Sequence, residues 1–216
     1  MEFNYIEDGI DAVVIDNFYT EEQLAEIHKE LQWLSKPSIL LDGNNLATAT
    51  ENGKILSSKR GVFLEEVFIN WRHSALISGC KAQTNLQEFK DQLLNYNTMF
   101  KSLFECNSRG HLLSYYESSD YYKPHRDSAF FTILNYFNVE PKKFIGGEIV
   151  LKSCNSSKEA TIEPRNNRTV IILSSTMHEV KPIQLDKEFI GFGRYCNSAF
   201  LSYTDPRPMR QNNDSN

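Results

Sequence analysis

From residue 111 onward the chain is a succession of short runs rich in β-branched and aromatic residues. They read HLLSYYES, YYKPHRD, AFFTILNYF, GEIVLKS, EATIEP, TVIILSS, HEVKPI and GRYCNSAFLSY, with polar turns between them. About eight strands at this spacing, with no helical period between them, indicate an antiparallel sandwich or small barrel.

The first half has a different texture. Residues 11–16, DAVVID, read as a short buried strand. Thr20 with Gln23 three residues on is a capping box, and Leu24, Ile27, Leu31 and Leu34 recur at helical spacing. A helix is expected over 21–34, ended by Pro37. Residues 38–83 carry turn signals at DGNN (42–45) and ENG (51–53). Beyond them Val62 to Ile77 is expected to be helical, with Phe63, Val67 and Trp71 on one face. A second helix is expected over 84–104, with Leu86, Phe89, Leu93, Tyr96, Phe100 and Leu103 as its stripe and Gly110 as its stop. The end, DPRPMRQNNDSN, reads as a frayed tail. The sequence contains no internal repeat and no Pro/Gly/Ser linker. The expected plan is one domain over 1–204, with helical support and a lid in 1–110, a β core in 111–204, and a flexible tail at 205–216.

Composition narrows the function classes. The 216 residues include 23 basic and 28 acidic side chains, a formal charge of −5. Such a chain is a poor general partner for nucleic acid or an anionic membrane. No apolar run has the length a bilayer requires. The aromatic and aliphatic content is too high for a disordered chain. No basic stretch followed by an apolar one marks a secretory signal at the start. Cys80, Cys106, Cys154 and Cys196 form no C-x-x-C pair, so they are read as reduced thiols of a cytoplasmic protein.

Of the five histidines, His28 and His73 fall in or beside expected helices, and His111 opens a strand without an obvious partner. His125 differs, because Asp127 lies two residues on. Residues i and i+2 of a strand share a face, so imidazole and carboxylate converge while Arg126 points away. His178 begins a later strand. Two histidines and one carboxylate on one face of a metal, with the opposite positions open, form the facial triad of non-haem Fe(II) oxygenases. H-x-D alone is a weak signal. Its surroundings add to it: Tyr115, Tyr116, Tyr121 and Tyr122 before it, GGEIVL after it, then IEP–NNR–TVIIL leading into HEVKPI, and GRYCNSAFL closing the run.

With these motifs, residues 111–203 resemble the 2-oxoglutarate- and Fe(II)-dependent dioxygenases, and more closely their prolyl 4-hydroxylase-like branch. DAVVIDNFYTEEQLAEI resembles that branch's opening strand and helix more weakly. The resemblance implies a mainly β fold with N-terminal α elements: a double-stranded β-helix, or jelly roll, supported by N-terminal helices. It implies one Fe(II) held by His125, Asp127 and His178, 2-oxoglutarate as co-substrate, and hydroxylation of an unactivated C–H bond with release of succinate and CO2. Ascorbate is left open as an accessory.

The co-substrate's far carboxylate needs a cation, and Lys181, Lys187 and Arg194 follow His178. Arg194 opens a strand and can grip a carboxylate with two parallel hydrogen bonds, so it is the expected anchor. The stretch QLDKEFIGFG makes the hairpin from His178 to Arg194 longer than most relatives show, and Lys187 within it is the fallback. By resemblance Tyr136 would help bind the same carboxylate and Tyr122 would line the pocket. Tyr115 or Tyr116 would sit near the other end, and Tyr116 is carried forward. Gly146 and Gly147 are expected to serve a tight turn into GEIVL, and Ser174, Ser175 and Thr176 to orient the loop before His178. Tyr115, Tyr116, Tyr121, Tyr122, Phe130, Phe131, Tyr136 and Phe137 crowd around the His125–Asp127 pair, as the lining of such a pocket would.

The expected substrate is a prolyl residue in a peptide or protein. The alternatives are the same chemistry on a free amino acid or other small metabolite, and a non-catalytic interaction module with a vestigial triad. Nucleic-acid demethylation fits worse, because Phe200 stands six residues after Arg194 where such relatives place an arginine. O2 is the remaining partner; no membrane or nucleic-acid partner is expected. The poorly read segment 38–83, with Lys59, Arg60 and Arg72, is the expected lid.

Overall fold

In the computed structural model, which describes residues 1–7, 9–42 and 48–204, the chain opens with an antiparallel pair, β1 (Glu2–Ile6) and β2 (Ala12–Asp16). The apolar DAVVID run is thus a strand, as read. Helix α1 (Glu21–Leu34) begins at the expected capping box, with the Thr20 side chain accepting from the Gln23 N–H and the Gln23 side chain from the Thr20 N–H. It buries Ile27, Leu31 and Leu34. Short strands follow: β3 (Leu41–Asp42), β4 (Thr50–Glu51), β5 (Lys54–Ile55), β6 (Ser57–Ser58) and β7 (Arg60–Phe63). The ENG turn joins β4 to β5. Most of the DGNN turn lies outside the described residues, as does the 205–216 tail.

The helix expected over 62–77 is corrected. Arg60–Phe63 is extended and paired, α2 (Leu64–Val67) is a single turn, and a 3-10 turn covers Trp71–His73. Helix α3 (Ala75–Asn85) starts afresh because Ser74 caps it, its side chain accepting from the Ile77 N–H. The Glu30 carboxylate reaches across from α1 to take the Ser74 hydroxyl and the Ala75 and Leu76 N–H groups. The expected 84–104 helix is also broken, into α4 (Gln87–Tyr96), a 3-10 turn at Thr98–Phe100 and α5 (Lys101–Glu105). Leu86 is extended and exposed between α3 and α4. The Asn97 side chain accepts from the Met99 N–H, an alternative to the helical ladder that short polar residues offer. The rest of the apolar stripe persists, with Phe89, Leu93, Phe100 and Leu103 buried.

The second half is the expected strand succession: β8 (Ser108–Tyr116), β9 (Tyr121–His125), β10 (Phe131–Phe137), β11 (Phe144–Gly146), β12 (Ile149–Lys152), β13 (Glu159–Ile162), β14 (Arg168–Leu173), β15 (Met177–Val180), β16 (Ile183–Leu185) and β17 (Arg194–Ser202). The major sheet runs β1-β2-β14-β10-β17-β8-β7-β3 and the minor sheet β13-β12-β15-β9-β6, all antiparallel, with β11–β16 as a separate pair. This is a jelly roll in a mainly β chain. The first half is more than helical support, since β1, β2, β3 and β7 extend the major sheet and β6 edges the minor one.

Alternation gives the major sheet two buried faces. Val13, Ile15, Leu113, Ile133, Ile171 and Leu201 face the helices and join Ile27, Leu76, Phe89 and Leu93 in one core. Val14, Leu134, Val170, Ile172 and Cys196 face the minor sheet and meet Ile149, Leu151 and Ile162. The layers are therefore helices, major sheet and minor sheet.

Gly146 (φ +81°) and Gly147 (φ +73°) turn the chain from β11 into β12. A Cβ at Gly146 would collide with the Pro182 carbonyl oxygen, and one at Gly147 would meet Ile183 and the Arg194 side chain. Gly146→Ala is expected to cost more than ~2 kcal/mol, read as a lowered urea midpoint, because both conformation and space are refused. Gly110→Ala, where a Cβ meets nothing, is the control and should change stability by less than about 1 kcal/mol.

Candidate active site

The antiparallel pairing of β9 with β15 sets His125 across from His178. The rings lie 4.2 Å apart, and both residues are buried. Each ring is held by its own backbone: His125 Nδ1 lies 2.8 Å from the Lys123 carbonyl oxygen and His178 Nδ1 2.9 Å from that of Thr176. Donation from both Nδ1–H groups leaves both Nε2 lone pairs free. Burial, with His178 alongside, pushes His125 below the ordinary imidazole range, which keeps it neutral and able to ligate.

Asp127 stands just beyond β9 rather than within it. Its carboxylate oxygens lie 3.7 Å from His125 Nε2 and 3.7 Å from His178 Nε2. Its N–H donates to the Ser174 carbonyl at 2.9 Å, and the Thr132 hydroxyl donates to Oδ2 at 2.7 Å. With that proton committed, Ser174 Oγ donates to Thr132 Oγ1 at 2.8 Å. Thr132 went unread as a partner of Asp127; its position one strand on, facing inward, was the available signal. Ser174, expected to orient the loop before His178, bonds Thr132 through its hydroxyl and Asp127 through its carbonyl. One ligand atom from each of His125, Asp127 and His178 falls within 4.8 Å of the others. The donor set, two imidazoles and one carboxylate, suits a divalent first-row metal with open positions.

The trio opens on a cavity of about 590 Å³ between the two sheets. Arg194 closes its far wall and is the largest fully buried side chain, 1% exposed. Its guanidinium lies 4.7 Å from the ring centres of both Tyr116 and Tyr136. Among the described residues, Arg194 Nε and Nη1 and the Tyr136 hydroxyl are buried without a hydrogen-bond partner. Burial raises the phenols of Tyr116 and Tyr136, so both stay neutral and can donate. Orphaned buried donors are costly, and three in one cluster fit a ligand that accepts from them. A carboxylate has that chemistry.

Lys187 is exposed on a 3-10 turn away from the cavity. The choice between Tyr115 and Tyr116 falls to Tyr116, because Tyr115 points to the helical core and bonds Glu117. Tyr116 sits against Arg194 on the cavity wall. Tyr122 stacks on His125, ring centres 3.5 Å apart, and its hydroxyl accepts from the Ala49 N–H. Of the expected lid, Thr48, Ala49, Lys59 and Phe63 line the cavity, whereas α3 packs on α1. Arg60 is exposed beside Asp42, and Arg72 lies on the Trp71 ring. Lys59 alone of those three bases turns inward.

Residues 110–201 match the family described as the 2OG-Fe(II) oxygenase superfamily. No curated protein matches the chain by sequence. A prolyl-4-hydroxylase from Pseudomonas putida superposes with a TM-score of 0.62 at 15% identity, covering 90% of this chain and 93% of that one. A Trichoplax adhaerens prolyl hydroxylase, solved with a hypoxia inducible factor peptide fragment, gives 0.63 at 18% identity, covering 88% and 83%. A third similar structure, of prolyl 4-hydroxylases from Phytophthora capsici, gives 0.57 at 19% identity over 91% of this chain and 60% of that one. The β core of this protein, residues 110–201, is similar to the 2OG-Fe(II) oxygenase superfamily, and its fold is shared with these prolyl 4-hydroxylases. Among the described residues, no helix is long and apolar enough to cross a membrane.

Thr132→Val keeps the side-chain volume and removes the hydroxyl that fixes Asp127. Mn(II) affinity, measured by calorimetry, is expected to fall by roughly ten- to a hundredfold, the usual scale for loss of a partner that orients a metal ligand.

Proposed function

We propose that this protein is an Fe(II)- and 2-oxoglutarate-dependent dioxygenase that hydroxylates an unactivated C–H bond, with a prolyl residue of a peptide or protein as substrate. One observation carries the reading. A cavity holds a His-Asp-His trio on one wall and the buried Arg194 guanidinium on the other, with unpartnered donors among the described residues and the Tyr136 ring 4.7 Å behind it. A ligand with a carboxylate at its far end and chelating oxygens at its near end matches both walls.

In this reading His125, Asp127 and His178 hold the metal. When bound, Fe(II) couples the decarboxylation of 2-oxoglutarate by O2, giving succinate and CO2, to insertion of one oxygen atom into the substrate C–H bond. The chain's own part is positioning. Arg194 and Tyr136 donate to the far carboxylate, and the guanidinium stays charged at any working pH. Leu134, Ile149 and Val180 exclude water from the wall between. Tyr122 holds His125 in place from its ring face. The fold shared with prolyl hydroxylases supports a prolyl substrate. A second reading, the same chemistry on a free amino acid or other small metabolite, is favoured by the inward-facing Lys59.

Anaerobic addition of Fe(II) and 2-oxoglutarate should produce the weak visible absorption of a chelated 2-oxo acid. A folded protein that gives no band would overturn the co-substrate assignment. Succinate release is then assayed against proline-containing peptides of graded length and free amino acids; a dependence on peptide length supports the prolyl-peptide substrate.

The anchor has its own test. Arg194→Met should weaken 2-oxoglutarate binding at least tenfold, since truncating one partner of a buried charged pair costs several kcal/mol. Lys187→Ala should leave it unchanged. The reverse pattern would show that the QLDKEFIGFG stretch supplies the cation.

A further inference from the structure

Lys59 stands between β6 and β7 and is 7% exposed. Across the major sheet Arg60 pairs with Tyr115 on β8, and Tyr116 pairs with Arg194 on β17. One residue back from Arg60, Lys59 therefore falls beside Tyr116, in a row Lys59–Tyr116–Arg194 that lines the cavity. Its ammonium donates to Ser114 Oγ at 3.0 Å and, among the described residues, has no other hydrogen bond and no ion pair. It lies 4.8 Å from the Tyr122 ring centre, and Tyr122 stacks on His125. An ammonium has three donors, and a buried one with a single neutral partner is costly.

The charges around it sharpen the point. Asp127 is the sole carboxylate among the described residues that line the cavity, and it faces the two histidines. Lys59 and Arg194 are both buried there, whereas Arg126 is exposed and donates to the Ser175 carbonyl. With a divalent metal and a dicarboxylate in place, the cavity still holds one uncompensated positive charge. Arg194 takes the far end of the dicarboxylate and the metal its near end, so the spare cation is Lys59.

We propose that Lys59 docks a carboxylate carried by the primary substrate, so that the residue hydroxylated bears its own free carboxylate, as a free amino acid or a chain-terminal residue does. Its closeness to the Tyr122–His125 stack sets this class. A carboxylate at Lys59 lies near the trio and hence near the carbon attacked, where an internal peptide residue has none. Burial pushes the Lys59 ammonium down to about 8, so most of it is charged at neutral pH. The proposal rests on the hydroxylase reading above and narrows its substrate to one that carries a free carboxylate on the residue hydroxylated.

The test uses the full chain loaded with Mn(II) and 2-oxoglutarate, a form that binds without turning over. Calorimetry compares L-proline with L-prolinamide, and N-acetyl-L-proline with its amide. The first pair represents a free amino acid and the second a chain-terminal residue. At least one acid should bind tenfold or more tighter than its amide. Lys59→Met should abolish that preference and Lys59→Arg should retain most of it, while 2-oxoglutarate affinity stays within about twofold in both. Equal binding of acid and amide, or no binding of either acid, overturns the proposal. A loss of 2-oxoglutarate affinity in Lys59→Met that matches the loss in Arg194→Met also overturns it, because Lys59 would then serve the co-substrate. Failure of 2-oxoglutarate to bind the wild-type Mn(II) protein refutes the hydroxylase reading itself, and the proposal with it.

Discussion

The site depends on the register between β9 and β15. Antiparallel pairing puts His125 opposite His178, and a slip of one residue would send one imidazole to the far side of the sheet. The register is locked from the other edge of β15, where His178 faces Leu151 of β12 and Leu151 is wholly buried. Asp127 lies past the strand end and cannot inherit its position from the ladder. It is tied instead to Ser174, at the end of β14, and to Thr132 of β10. The histidines thus come from the minor sheet, while the carboxylate is fixed by the major one. Closure of the sandwich is what assembles the trio.

Burial of charge is the second constraint. Arg194 and Lys59 are withdrawn from water with no carboxylate of the described residues in contact, and both keep unused donors. In a stable core such groups would be replaced by apolar side chains, which are often neutral or stabilising in their place. Their cost is offset when an anion binds, so part of the folding free energy is held back for the ligand. Tyr116 stands between the two cations and presents its ring face to Arg194 at 4.7 Å and to Lys59 at 5.9 Å. A ring face is the one neutral surface that attracts both, and it keeps them apart without neutralising either.

Strand succession, the α1 capping box and the H-x-D pair were legible because each is a local pattern. Thr20 and Gln23 sit three residues apart and bond each other, and the apolar runs after residue 111 carry period two on their own. What failed depended on distant partners. The stripe from Leu86 to Leu103 has helical spacing throughout, yet Asn97 bonds ahead to Met99 and Leu86 turns out to solvent. The start of α3 is fixed by Glu30, which lies 44 residues before Ser74. Arg60–Phe63 is a strand because β8 offers it an edge, which no window of its own sequence reveals. Lys59 looked like one base among three in a polar stretch. Its inward direction follows from the register of β7 on β8, a tertiary fact.

The aromatic crowd around His125 and Asp127 shows how one composition signal serves two ends. Neighbours in sequence lie on opposite faces of the sheet. Tyr116 lines the cavity while Tyr115 packs against Tyr195 in the helical core. Tyr136 lies against Arg194 while Phe137 stacks toward Tyr19. Tyr122 covers His125, whereas Phe130 is exposed. Of this crowd, Tyr116 and Tyr122 line the cavity, and Phe131 and Phe137 stay with the helices. Period-two alternation sorts neighbouring rings between the cavity and the helical core. A count of aromatics along the chain cannot separate these roles; the parity of each position within its strand does.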